Sequence, residues 1–251
     1  MNIQFAVKDD EIFLIEVNPR ASRTVPFVSK SIGHPLAKYA TWLMLGQKLS
    51  DIGFSYETPE SVSVKETVFP FISFSGADTE LGPEMKSTGE VMGRGENLED
   101  AFMKAQVAAY QSEIKEGHIF IGVTDQDKQG IVPAALEFQK AGRKILATEG
   151  TYKVLQKAGV TNIEKTSLDR EDPDNIFDYI DRNEVALIVN TTRPRKRSVD
   201  AKHIRRVALM RNLPYFTTVE GTLNIASAIV ATDSGKKLNY KSLLISRKNS
   251  S

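Results

Sequence analysis

From residue 118 onward, short apolar runs alternate regularly with stretches of helical periodicity, and this alternation constrains the fold more than any other feature of the sequence. Each apolar run is bounded by turn residues and followed by apolar residues spaced three or four apart. This order predicts strands near residues 119–123, 144–147, 162–165, 185–189 and 214–217, and helices near 129–141, 151–158, 174–182, 199–211 and 221–231. Such an alternation is typical of a parallel sheet with helices on both faces. We therefore predict an α/β unit over residues 114–251, built on a doubly wound, five-stranded parallel sheet.

Two of the predicted strands end in small polar residues, at the edge where an open parallel sheet binds its ligands. Thr148 and Thr151 flank Gly150 at the start of a helix, and Asn190 and Thr192 lie just after a later strand. A helix start offers free N–H groups and a positive dipole end, and glycine lets the backbone approach a ligand closely. This corner is a candidate phosphate site. The alternative is that a threonine merely caps the helix.

Two basic features lie near the same predicted edge. Lys128 precedes the helix that follows the first strand, where its amine would meet a phosphate, although a solvated surface lysine is the alternative. The loop at residues 193–197, which includes Arg195, is strongly basic and raises the question of nucleic-acid binding. No aromatic side chain is interleaved for base stacking, and the formal net charge of the chain is only +1. We predict a positive rim for a nucleotide phosphate and no nucleic-acid partner.

The N-terminal residues have the pattern of a β-hairpin, because apolar runs at 3–7 and 11–17 flank a polar turn. Glu16 and Asn18 are two residues apart and therefore share one face of an extended strand. Carboxylate and amide oxygens are hard ligands that suit Mg²⁺, and the guanidinium of Arg20 can bind a phosphate in a forked geometry. An ordinary surface acid at position 16 is the alternative.

Residues 15–21 and 23–30 together resemble the end of the second ATP-grasp unit in the large subunit of carbamoyl-phosphate synthetase. In that family the Glu and Asn of this motif hold Mg²⁺ (or Mn²⁺) against ATP together with an upstream Gln. The resemblance therefore implies a metal site at Gln4, Glu16 and Asn18, with Arg20 beside the ATP. The phosphate-covering loop and the adenine pocket of such a unit lie upstream of the motif. We expect residues 1–113 to be the C-terminal fragment of an α+β ATP-grasp catalytic unit that is not catalytic and holds no cofactor by itself.

The remaining residues, 114–251, are similar to the methylglyoxal synthase-like regulatory domain at the C-terminus of the same large subunit. In bacterial members this domain binds UMP as an inhibitor and IMP as an activator. The resemblance implies an allosteric nucleotide site formed by Lys128, Thr148, Thr151, Lys165, Asn190, Thr192 and Arg195.

Some family members also bind an activating ornithine between the catalytic and regulatory units. The resemblance places Glu66, Leu81, Tyr215 and Thr217 at that site. The ornithine-responsive pattern has an acid between the Tyr and the Thr, whereas this chain has Phe216. An amine effector would bind here without a charged hydrogen bond of about 1.5–3 kcal/mol.

For the intact protein, the resemblance implies an ATP-dependent ligase that forms carbamoyl phosphate from bicarbonate, an ammonia source and ATP, for pyrimidine and arginine biosynthesis. Its expected partners are the remainder of the large subunit, a glutamine amidotransferase small subunit and, in a homo-oligomer, further copies of the chain. Two other functions stay open. One is a free-standing methylglyoxal synthase-type lyase, with Glu149 as a carboxylate near the phosphate site. The other is an oligomerisation module.

The composition and the N-terminal sequence exclude several classes of protein. The chain of 251 residues has no cysteine, which excludes disulfide scaffolds and thiolate metal sites. No apolar run approaches the roughly 18 residues that a membrane span needs. The N-terminus lacks the basic region and cleavage pattern of a signal peptide. We predict a cytoplasmic protein without a membrane partner.

Overall fold

The chain divides into two compact units. The computed structural model describes residues 1–68, 89–191, 199–235 and 238–240. One unit comprises residues 62–238, and the other comprises residues 1–61 with the described residues 239 and 240. The boundary predicted between residues 113 and 114 falls within the first of these units and stays a prediction.

Helices and strands occur in the following order along the described residues. They are β1 (Asn2–Lys8), β2 (Glu11–Asn18), α1 (Thr24–Ile32), α2 (Leu36–Met44), α3 (Leu49–Ile52), β3 (Val62–Val68), β4 (Gly89–Gly95), α4 (Leu98–Tyr110), β5 (His118–Ile121), α5 (Val132–Lys140), β6 (Ile145–Ala147), α6 (Glu149–Lys157), β7 (Ile163–Lys165), α7 (Ile176–Asp181), β8 (Val185–Val189), α8 (Val199–Met210), β9 (Tyr215–Phe216) and α9 (Val219–Asp233).

A five-stranded sheet with the strand order β7-β6-β5-β8-β9 forms the centre of the larger unit, and every pairing in it is parallel. Ile119 and Ile121 of β5 pack into a core with side chains of α4, α5, α6 and α9, whereas Phe120 packs with α7 and α8. Because neighbouring residues of a strand point to opposite faces, the sheet is covered by helices on both sides. The predicted doubly wound α/β sheet is confirmed.

Helices α6 and α9 each begin two residues earlier than their patterns predict. Both begin after a threonine in extended conformation, Thr148 with φ −63° and ψ 150° and Thr218 with φ −130° and ψ 152°. Extended backbone at the residue before a helix is the usual N-cap geometry. Apolar periodicity detects a helix only from its first buried residue, so the polar first turn is missed.

Strands β3 and β4 pair antiparallel and pack against α4 in the same unit. Gly93 lies so close to the helix that an added Cβ would come 1.9 Å from the carbonyl oxygen of Ala101. Glycine is required there because any side chain would push α4 off the strand. Asn97 caps α4, because its side-chain oxygen accepts a hydrogen bond of 3.0 Å from the Asp100 N–H.

The smaller unit contains the predicted hairpin, in which β1 pairs antiparallel with β2. Asp9 and Asp10 at its turn both have positive φ, of 51° and 62°, as a two-residue type I′ turn requires. The apolar side chains of both strands are exposed. They are Ile3, Phe5, Val7, Ile12, Phe13, Leu14, Ile15 and Val17.

Candidate functional site

The carboxyl ends of the five parallel strands are aligned by their pairing registers. Ile121 of β5 pairs with Ala147 of β6 and Val189 of β8, and these pair with Lys165 of β7 and Phe216 of β9. The next residue of each strand therefore lies at one common edge of the sheet. These residues are Gly122, Thr148, Thr166, Asn190 and Thr217.

The start of α6 lies at this edge and has no side-chain cap. Thr148 occupies the N-cap position, but its hydroxyl donates to the Thr151 hydroxyl oxygen at 3.2 Å instead of accepting from the helix backbone. Thr151 is fully buried and accepts a hydrogen bond of 3.4 Å from the Val123 N–H. The interpretation of Thr148 as a simple cap does not describe this geometry. No described side chain caps the first-turn N–H groups of α6, which can therefore bind an acceptor such as a phosphate oxygen.

Lys128 reaches the same helix start from the loop that follows β5. A Cβ added to Gly150 would lie 2.5 Å from the Lys128 Nζ, so the ammonium group rests against the backbone of the first turn of α6. The ammonium also pairs with Asp125 at 2.5 Å, and the Lys128 side chain is only 18% exposed. An amine and two hydroxyls from separate segments therefore converge at one helix N-terminus. That these groups bind a ligand stays a prediction.

Lys165 and Glu149 form an exposed charged pair beside the corner. Glu149 bonds to Lys153 at 2.7 Å and to Lys165 at 3.3 Å. These hydrogen bonds, first from Lys153 and then from Lys165, hold the pKa of the Glu149 carboxyl below its ordinary value. The carboxylate is thus stabilised in its ionised form and has reduced basicity, which disfavours it as the proton-abstracting base of a lyase.

Asn190 lies at the crevice between β5 and β8 and is 3% exposed. Its side-chain N–H donates to the Gly122 carbonyl at 2.9 Å, whereas its side-chain oxygen is buried and accepts no hydrogen bond from the described residues. Arg205 of α8 donates to the Asn190 carbonyl at 3.3 Å. A buried amide oxygen without a donor is costly unless a ligand or water supplies one. The predicted site residues Thr192 and Arg195 lie outside the described residues.

A second cluster links two of the residues expected at an ornithine-like site. Glu66 accepts a hydrogen bond of 2.9 Å from Gln106, and burial raises the pKa of its carboxyl. Tyr215 donates its backbone N–H to the hydroxyl of Tyr110 at 3.3 Å, and burial raises the pKa of the Tyr215 hydroxyl. Burial, with a smaller contribution from the nearby Glu66 carboxylate, raises the pKa of Tyr110 to about 12. The sequence argument missed Tyr110, which is the last residue of α4.

The other members of that set are placed differently. Thr217 is exposed at the sheet edge, and Leu81 lies outside the described residues. Phe216, which stands where an acid was expected, is 8% exposed and stacks on Phe102 with ring centroids 6.2 Å apart. An apolar contact with α4 thus occupies the position of the expected counter-charge.

The predicted metal ligands lie side by side on the hairpin. Gln4 of β1 pairs directly with Glu16 of β2, and the side-chain N–H of Asn18 donates to a Glu16 carboxylate oxygen at 2.7 Å. Arg20 donates to the carbonyl of Ala21 at 3.3 Å. No group of three His, Cys, Asp or Glu residues suitable for a metal occurs among the residues that the structure describes. The hairpin offers one carboxylate and two amides, a donor set that suits Mg²⁺ only when ligand phosphates complete it.

Within the described ranges, no helix combines the length and apolar character needed to cross a membrane.

Two family profiles match separate parts of the chain. Residues 130–217 match the profile described as "MGS-like domain", and residues 1–52 match the "Carbamoyl-phosphate synthase L chain, ATP binding domain". The first range contains strands β6 to β9, and the second contains the hairpin with its Gln, Glu and Asn.

Curated relatives are similar over nearly the whole chain. The "Carbamoyl phosphate synthase large chain" of Mesorhizobium japonicum is 44% identical over 94% of this chain and 21% of its own length. That of Methanobrevibacter smithii is 46% identical over 97% of this chain and 23% of its own length. The "Carbamoyl phosphate synthase large chain, C-terminal section" of Methanocaldococcus jannaschii is 42% identical over 96% of this chain and 41% of its own length. The chain thus spans between about a fifth and two fifths of these relatives, and the predicted resemblance to such a large chain is confirmed.

Proposed function

We propose that this chain is part of a carbamoyl-phosphate synthase large chain and that residues 114–251 form its regulatory domain, which binds a nucleoside monophosphate of the UMP or IMP type. The similarity to the large chains supports the first statement. The second rests on one observation: the Lys128 ammonium lies against the uncapped start of α6, beside Thr148 and Thr151. A phosphate at this corner receives backbone N–H groups, hydroxyls and a positive charge together.

The spacing of the polar groups favours a ligand longer than a phosphate ion. Strand β5 lies between β6 and β8. Asn190 is therefore two strand spacings, or about 10 Å, away from Thr148 across the sheet. A nucleoside monophosphate spans this distance with its phosphate at α6 and a ribose hydroxyl or base N–H on the Asn190 oxygen. Lys165, Thr192 and Arg195 are proposed to complete the site.

In the intact enzyme, we propose that the nucleotide regulates formation of carbamoyl phosphate from bicarbonate, ATP and ammonia delivered by a glutamine amidotransferase subunit. A ligand changes activity only if it binds one arrangement of the regulatory and catalytic parts more tightly than another. The affinity difference between these arrangements sets the size of the regulation.

The hairpin is proposed to belong to an ATP-binding unit that other parts of the polypeptide complete. Gln4, Glu16 and Asn18 would hold Mg²⁺, with Arg20 near the phosphates. When bound, Mg²⁺ neutralises phosphate charge and orients the transferred group. The exposed apolar side chains of both strands support this proposal, because a hairpin in a complete sheet buries at least one face.

Titration calorimetry of the chain with UMP and with IMP tests the nucleotide site. We expect heat from at least one nucleotide, and a loss of affinity of about ten-fold or more when Thr148→Ala removes a hydroxyl from the phosphate. The matched control is Thr161→Ala, whose hydroxyl bonds to Gln139 before β7 begins, at the opposite end of the strand. Mg²⁺ with ATP should give no heat with this chain.

Three results would count against the proposal. A folded protein that gives no heat with either nucleotide removes the nucleotide proposal, and turnover of dihydroxyacetone phosphate would favour the lyase instead. Equal affinities for the Thr148→Ala and Thr161→Ala variants would move the nucleotide away from the α6 corner.

A further inference from the structure

We infer that Asp127 is a positioning residue, which fixes the loop after β5 to the end of β8 and thereby holds the Lys128 ammonium at the start of α6. The inference concerns the proposed nucleotide site. Only its predicted effect on nucleotide binding rests on the proposed function. Neither the strand and helix pattern nor the resemblance assigned Asp127 a role.

A three-residue network carries the inference. One carboxylate oxygen of Asp127 accepts hydrogen bonds of 2.6 Å from the Thr124 hydroxyl and 2.6 Å from the Thr191 hydroxyl. The Thr191 oxygen in turn accepts the Thr124 backbone N–H at 3.1 Å. Hydroxyl-to-carboxylate bonds of this length are charge-assisted and stronger than bonds between neutral groups. The network therefore joins two segments that are 64 residues apart in the sequence.

The network joins the ends of β5 and β8, two neighbouring strands whose following helices lie on opposite faces of the sheet. After β5 the chain continues into α5 on one face, and after β8 it continues into α8 on the other face. The last backbone bond joining the two strands is that of the Gly122 N–H to the Val189 carbonyl at 2.9 Å. Beyond it, no backbone hydrogen bond between the described residues joins the two diverging segments. Asp127 and Thr191 supply side-chain bonds at this point.

The same residue also shapes the loop that carries Lys128. The Asp127 N–H donates to the Thr124 carbonyl at 2.9 Å, and the Asp127 carbonyl accepts the Ile131 N–H at 3.0 Å, just before α5. Asp127 is thus fixed through its side chain, its N–H and its carbonyl, and the adjacent Lys128 extends from a backbone with little freedom. Without the Asp127 carboxylate, the loop loses its side-chain bonds to the Thr124 and Thr191 hydroxyls, and we expect the ammonium to move away from Gly150.

Reactivity of Lys128 in the full chain tests the inference without any ligand. In the wild type, the half-buried amine should react slowly with an amine-acylating reagent, as measured by peptide mass spectrometry. Asp127→Ala should raise the rate at Lys128 several-fold, roughly in proportion to the larger exposed fraction of its side chain. Lys144, at the amino end of β6, should keep its rate. A Lys128 rate that does not change relative to Lys144 overturns the inference.

Two further comparisons separate positioning from general stability. Asp233→Asn weakens another carboxylate network, in which Arg143 Nη2 lies 2.9 Å from Asp233, and should leave Lys128 unchanged. Thr191→Val should reproduce the Asp127→Ala result, whereas Thr191→Ser, which keeps the hydroxyl, should restore the wild-type rate. This pair decides the question if Asp127→Ala fails to fold. Failure of serine to restore the rate, or an equal rise in Asp233→Asn, overturns the inference.

Titration with UMP and IMP gives the binding consequence. Asp127→Ala and Thr191→Val should weaken nucleotide binding by about ten-fold, because a mispositioned ammonium loses a charge-assisted contact. If wild-type protein binds neither nucleotide, the proposed function fails, and the labelling result still decides whether Asp127 positions Lys128. If the wild type binds and both variants bind equally well, the position of Lys128 has no role in nucleotide recognition, and the binding consequence is overturned.

Discussion

The five-stranded sheet and the N-terminal hairpin contain the same kinds of residue in opposite surroundings. Ile121 and Leu146, on β5 and β6, are fully buried. Ile12 and Leu14, on β2, are 71% and 59% exposed. Both sheets are rich in Ile, Val, Leu and Phe, so composition does not distinguish them.

The difference comes from what covers each sheet. The parallel strands are joined by helices that pack back onto both faces, so each strand acquires its cover from its own connections. The hairpin is joined by a two-residue turn and acquires no cover in this way. The ATP-binding unit proposed above would cover this apolar surface. Within the described residues, helices of its own unit cover the five-stranded sheet, whereas the hairpin strands keep their apolar side chains exposed.

The largest expected effect is on stability and compares one leucine from each sheet. Leu146→Ala should lower the free energy of unfolding of the larger unit by about 3 kcal/mol, because it leaves a cavity in a closed core. Leu14→Ala should change stability by less than about 0.5 kcal/mol, since the side chain is already largely hydrated. Urea denaturation followed by circular dichroism measures both changes.

A spectroscopic control is available because the chain has a single tryptophan. Trp42 lies on α2 in the smaller unit, so its fluorescence follows that unit. Leu146→Ala should shift the circular dichroism transition more than the fluorescence transition. Equal costs for the two leucine variants would show that hairpin and sheet do not differ as described.

A smaller effect is expected on the exposed surface of the hairpin. Ile12 and Leu14 are two residues apart on one face of β2. Replacing both with threonine keeps β-propensity and should roughly halve the fluorescence of a bound hydrophobic dye, because a contiguous apolar patch is interrupted. Met210→Thr is the control, since Met210 is 69% exposed but belongs to the larger unit. Undiminished dye binding in the double variant would mean that this face of the hairpin is not the apolar surface that the dye detects.

Much of the sheet was predictable because its signal is local. Continuous apolar runs such as 185–189 are typical of strands buried on both faces, and turn residues mark their ends. The same local signal predicts the hairpin, including its turn at Asp9 and Asp10. It does not predict exposure, because a strand that is apolar on both faces looks the same whether or not a partner is present.

The candidate site also contains one part that the sequence predicts and one part that it does not. The convergence of Lys128 with Thr148 and Thr151 follows from the rule that ligands bind at the carboxyl ends of parallel strands. The bond between Asp127 and Thr191 does not follow from it, because it depends on how two distant loops orient a hydroxyl and a carboxylate. Periodicity describes which face a residue occupies, and it gives no information about side-chain partners within irregular loops.

The smallest expected effect is the pH dependence that His118, the first residue of β5, gives to the larger unit. Burial lowers the pKa of its imidazole below the ordinary 6.5, with a further contribution from the positive charge of Lys144, while Glu184 and Glu164 act in the opposite direction. The unfolded chain therefore takes up the proton first as the pH falls. The contribution of His118 to stability is complete above pH 6.5 and is lost as the pH drops through the lower folded-state pKa.

Unfolding free energies at pH 7.5 and about 5.5 test this contribution, and His118→Gln should lose less stability between them than the wild type. Lys144→Gln should give an intermediate slope, because it removes the second cause of the shift and leaves burial in place. The effect should appear in the circular dichroism transition of the larger unit and be weaker in Trp42 fluorescence, which reports the unit that contains the hairpin. A steeper loss in His118→Gln would mean that the imidazole gains its proton more easily in the folded sheet than in the unfolded chain.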